Sequence, residues 1–296
     1  MKKGIFKMKK VLKQIGKAIA YFAVYFTVSN VVTLIVSTVL GYVRGREYGA
    51  AGLSAEEGLA LVQSEMNSLT GICLLVSAIL ALITYAVIEK VKKSNLAKET
   101  DMKKVSGKQL ILTVTGALGA MFFMNFMLSI LPIPEDLTGN LENGMQTLTS
   151  YPFWQAILAN AIFVPIIEEV VFRGYIFNRL EKAMPSIVAA LISSAAFGIA
   201  HGGLVWAVWA FALGMIICVV RIKSGSIIPG IIFHIIMNTY AMVVSYFPVL
   251  DKLTKGGMIA LTVIGGLMMA AYIAGILTDK ENGKEKAEVK ILSSKA

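Results

Sequence analysis

The chain of 296 residues is 56% hydrophobic and 16% charged, with a mean hydropathy of +0.72. That composition excludes an ordinary soluble domain, which is less apolar and more charged. The net charge of +10 does not signal nucleic acid, because the basic residues cluster in alternate loops between apolar runs of about 20 residues, the length that crosses roughly 30 Å of hydrocarbon. Cys73 and Cys218 both fall inside such runs and imply no disulfide framework.

In chain order the sequence predicts an all-α, polytopic integral membrane protein of about eight transmembrane helices. A lysine-rich start, residues 1–17, precedes an apolar run too long for a signal-peptide core, so it reads as a basic cytoplasmic segment before a retained first span. Spans are expected at 18–43, 68–89, 109–131, 153–178, 186–202, 204–221, 226–248 and 256–278, with a disordered polar tail at 279–296. The fifth and sixth are short and parted only by Gly202-Gly203, as in a tight hairpin or a partly re-entrant pair. If both termini are cytoplasmic, the inside segments hold 24 of the 28 Lys and Arg, and the outside keeps Arg44, Arg46, Lys252 and Lys255. The loop 133–150 has no basic residue but carries Glu135, Asp136 and Glu142. The lysines also favour contact with anionic membrane lipids. This organises the chain as 1–17, three helices over 18–149, a functional core over 150–248, a last helix over 249–278, and the tail.

Ionisable groups at membrane depth are costly unless they face a bundle interior, a partner or a wet cavity. Three stretches carry them. The fourth span is expected to be one helix from Phe153 to Met184, bent at Pro165, with a turn at Pro185. Glu168 lies 16 residues before Met184, and His201 lies 16 after Pro185. Both therefore sit about 24 Å from the turn at 1.5 Å per residue, so antiparallel helices bring them to one depth. Glu169 and Arg173, four apart, suit an ion pair, which leaves Glu168, about 100° around the helix, as the freer general base. His234 and Asn238 share a face of the seventh span at a similar depth.

Singly these residues have plain explanations. A buried His or Asn can join helices by hydrogen bonds, the Glu169–Arg173 pair suits a structural role, and Phe197 reads as packing. Together, a Glu, two His and an Asn at one depth point to chemistry. A carboxylate can deprotonate water while His shares that proton or polarises a carbonyl, and Asn with a second His can stabilise an oxyanion. Alternatively, Glu168, His201 and His234 could hold a divalent metal such as zinc with one open position.

Glu168-Glu169-Val-Val-Phe-Arg173, then Phe197-x-x-x-His201, then His234-x-x-x-Asn238 resembles the motif set of the CAAX protease and bacteriocin-processing (CPBP, or Abi) family, whose eukaryotic relative is the type II CAAX prenyl endopeptidase. The resemblance covers roughly residues 150–245. It implies an intramembrane endopeptidase, metallo or glutamate type, with Glu168 activating water beside His201, His234 and Asn238 facing the oxyanion, and Glu169 with Arg173 holding the site together. It also implies a protein or peptide substrate, lipidated or membrane-embedded, in CAAX-type processing, bacteriocin maturation or self-immunity. The Lys/Arg-based topology and short loops point to a bacterial plasma membrane as the setting. A non-catalytic membrane adaptor with the same fold and a proton-coupled transporter are the competing classes.

Overall fold

The computed structural model describes residues 2–131, 134, 148–247 and 252–278, and all regular structure among them is helical. The acidic loop residues Glu135, Asp136 and Glu142 and the tail 279–296 lie outside the described residues. The helices are α1 (Lys2–Ala50), α2 (Ala55–Val91), the single turn α3 (Leu96–Glu99), α4 (Gly107–Ile130), α5 (Phe153–Glu181), α6 (Ser186–Ala200), α7 (Leu204–Ser224), α8 (Ile228–Tyr246) and α9 (Lys255–Thr278).

Seven of these are long and apolar enough to cross a membrane, rather than eight. The exception is α6, whose 15 residues extend only about 22 Å, short of roughly 30 Å of hydrocarbon. It turns into α7 through Gly202 and Gly203, with φ of 66° and 57°. Such backbone suits residues without a Cβ, so the pair forms the tight hairpin expected of the glycines.

The first two helices exceed their predicted spans. The α1 helix runs 49 residues, about 73 Å, because the flanking lysines are good helix formers and nothing in the sequence stops it. Its stop comes at Gly52, φ 78°. Ser54 and Glu57 then form a reciprocal capping box that starts α2 well before residue 68. Beyond the apolar stretch this hairpin is tied by Arg44 Nε to Glu65 at 2.8 Å and by the Tyr48 hydroxyl to the same carboxylate.

At the other end of the bundle the charges of the 92–106 loop pair across helices. Arg179 pairs with Glu99 at 2.8 Å, and Arg221 with Asp101 at 2.6 Å. Asn178 Nδ2 donates to the same Asp101 carboxylate at 3.1 Å. Behind this clasp Tyr21, Tyr85 and Tyr175 stack, with ring centroids of 4.1 Å (Tyr21–Tyr175) and 4.9 Å (Tyr85–Tyr175), joining α1, α2 and α5.

The α4 and α9 helices meet through small residues. A Cβ on Gly265 would overlap Phe123 N and Gly119 O, so backbone lies against backbone there. Gly265→Ala is expected to push these helices apart and destabilise the protein by about 1–3 kcal/mol, read as a lowered thermal midpoint in detergent. Gly256→Ala, whose nearest neighbour would stand at 3.9 Å, is the matched control.

The α5 helix is the structural centre, with every residue from Glu169 to Phe177 buried. It ends at Glu181 rather than Met184, and it takes up Pro165 through widened turns. Ile157–Phe163 and Glu169–Phe177 are π-helical, on either side of an α-helical Val164–Glu168. Wide turns of this kind recur at functional sites.

Candidate active site

Helices α4, α5, α6, α7 and α8 contribute to the wall of a cavity of about 250 Å³, lined by Glu168, His201, His234 and Asn238 among others. Four of the six residues singled out in the sequence thus meet around one space. The other two, Glu169 and Arg173, lie directly behind it and are fully buried.

Arg173 Nη1 donates to Glu169 Oε1 at 2.8 Å, and the same oxygen lies 3.0 Å from His234 Nδ1. A carboxylate ionised beside Arg⁺ can only accept, so His234 carries a proton on Nδ1. Its Nε2 is then directed toward Glu168, 3.7 Å from Oε2. That is too long for a direct hydrogen bond. The Arg173 guanidinium stacks 4.4 Å from the centre of the Phe197 ring, whose edges also meet His201 and His234 at 4.5 and 5.6 Å. Phe197 is packing, as expected, and the surface it packs is the underside of the site.

Room for the buried pair comes from two glycines on neighbouring helices. A Cβ on Gly214 of α7 would stand 3.0 Å from Arg173 Nη2, and one on Gly230 of α8 would stand 3.2 Å from Glu169 Oε2. His201, on the turn after α6, is the accessible member of the set. Its Nδ1 lies 2.8 Å from Phe197 O. A carbonyl can only accept, so Nδ1 donates and a neutral ring keeps the Nε2 lone pair for the cavity. Asn238 Nδ2 donates to Asn160 O at 2.8 Å, tying α8 to α5, so it is interhelical glue as well as cavity wall.

Among the described residues no three His, Cys, Asp or Glu side chains converge as a metal-binding group. As placed, His201, His234 and Glu168 are not grouped as metal ligands, and no step below runs through a metal.

Sequence reading missed Asn160 and Trp209, which also line the cavity. Asn160 is eight residues before Glu168, which on a regular α-helix puts it about 80° away. The intervening widened turns shift the register and bring both onto one wall. Trp209 had no signal, being one aromatic in an apolar run.

An all-α bundle of long apolar helices, with a cavity lined by Glu, His and Asn between them, defines a polytopic membrane protein. Residues 150–240 match the family described as "Type II CAAX prenyl endopeptidase Rce1-like", which shows the family resemblance for the block holding all three motifs. The chain is 32% identical over 113 residues to "Putative membrane peptidase YdiL" of Bacillus subtilis, covering 38% of this chain and 46% of the relative. It is 29% identical over 150 residues to "UPF0177 protein YxdF" of Lactococcus lactis, covering 49% of this chain and 80% of that one. The chain thus spans about half the length of the first of these relatives. No solved structure matches.

Proposed function

We propose that this protein is an intramembrane endopeptidase that hydrolyses a peptide bond with water activated by Glu168. The observation that carries this reading is the division of labour between two adjacent carboxylates. Glu169 is committed to Arg173 and His234, whereas Glu168 opens into the cavity. Water held between Glu168 and the Nε2 lone pair of His201 gives up its proton as its oxygen attacks the carbonyl carbon. The His234 ring, held by Glu169, and the Asn238 carboxamide face the developing oxyanion, where the free Asn238 N–H can donate to it. The proton taken by Glu168 then passes to the departing amine. Glu169 and Arg173 act through His234, by fixing its ring and proton.

The match over residues 150–240 supports the peptidase class. The substrate in this reading is a protein or peptide that reaches the cavity at membrane depth, and the setting is a bacterial cell membrane with both termini cytoplasmic. The test is a quantitative survey of peptide termini in membranes from cells expressing wild-type or Glu168→Gln protein at matched levels. New termini present only with the wild type are expected, and their sequences identify the substrate and any lipidated cysteine. Identical profiles, with the variant still supplying the function lost on deletion, would favour a non-catalytic adaptor.

A further inference from the structure

The backbone of α5 leaves one carbonyl without a helical donor, and a residue of the third motif takes it up. In the widened turn, Val164 N–H donates to Ala159 O, five residues back, so it does not serve Asn160 O. The next amide in that register is residue 165, a proline with no N–H. Neither the fourth nor the fifth residue onward thus donates to Asn160 O, and a buried carbonyl left so is costly. Asn238 Nδ2, from the facing helix α8, donates to it at 2.8 Å.

We propose that Pro165 is a positioning residue for Asn238. By withholding a backbone donor it exposes the Asn160 carbonyl, and this carbonyl fixes the rotation of the Asn238 carboxamide. Because a carbonyl can bond only the amino end of the amide, the orientation is set without ambiguity. One N–H is held by α5, while Oδ1 and the second N–H remain for the cavity that Glu168 and His234 also line. Replacing Pro165 by a residue with an N–H gives the helix its own donor to Asn160 O, and Asn238 loses its anchor. The catalytic use of this orientation rests on the peptidase reading; the anchoring itself does not.

The test needs no substrate. Full-length protein in detergent micelles is labelled with 15N-asparagine, and the Asn238 carboxamide is assigned by its loss in Asn238→Asp. In the wild type this carboxamide is expected to exchange with deuterium at least tenfold more slowly than that of exposed Asn95. In Pro165→Ala, and equally in Pro165→Ser, the protection is expected to fall below twofold. Thermal midpoints give a second readout. Asn238→Ala is expected to lower the midpoint by about 2–6 °C with Pro165 in place and by less than about 1 °C in the Pro165→Ala background, a non-additivity that direct coupling requires. Retained protection in both Pro165 variants, or additive midpoint losses, would overturn the proposal. If neither Pro165 variant folds, the wild type alone decides, since an Asn238 carboxamide exchanging as fast as Asn95 would also overturn it. An inactive wild type with intact coupling would count against the peptidase reading alone.

Discussion

Glu168→Gln is expected to lower turnover by about 10²- to 10⁴-fold while leaving the protein folded in the membrane. Glutamine keeps the volume and one acceptor oxygen but cannot take a proton from water. Its neighbours lose no essential partner, because Arg173 and His234 Nδ1 are both bonded to Glu169. The measurement is cleavage, by purified wild-type and variant protein, of a peptide spanning the junction that the termini survey identifies. His201→Ala is expected to fall in the same range, since Nε2 of His201 is the second acceptor facing the water. A Glu168→Gln enzyme retaining more than a tenth of wild-type turnover would remove Glu168 from the base role.

Arg173→Ala is expected to have the largest effect on stability, about 3–5 kcal/mol, because it strands Glu169 as a buried charge. Both side chains are fully enclosed, and the guanidinium also covers the Phe197 ring. A lysine keeps the charge but not the flat face that stacks there, so Arg173→Lys is expected to recover only part of the loss. Arg179→Ala is the comparison. Arg179 also pairs with a glutamate, but with side chains 13% and 26% exposed, so a smaller drop is expected as water can reach the stranded Glu99. Thermal unfolding of the three variants in one detergent ranks them. An Arg173→Ala midpoint within 2 °C of wild type would mean that the buried pair does not hold the site.

Much of the site was legible in the sequence because its residues are wrong for their surroundings. Charged and imidazole side chains in apolar runs must find partners, and helical rise converts sequence spacing into depth. Those two rules suffice to place Glu168 and His201 around one cavity, to pair Glu169 with Arg173, and to put His234 and Asn238 on one face. Helix class and approximate number follow from the same apolar runs.

Three features were decided only by tertiary packing. The length of α6 depends on where α7 can dock after Gly202 and Gly203, and hydropathy cannot distinguish a short hairpin helix from a full span. The clasp of Glu99, Asp101, Asn178, Arg179 and Arg221 is invisible to charge counting, which sees these residues only as loop charges. Finally, the widened turns around Pro165 arise from a local conflict between a missing donor and a helix that continues past it into the fully buried turn Glu169–Phe177. Regular periodicity therefore misplaces Asn160, while the folded chain puts it opposite Asn238. The sequence determined which groups need partners; the packing of α5 against α8 determined which partners they found, because a buried polar group is satisfied by whatever the fold brings within hydrogen-bonding reach.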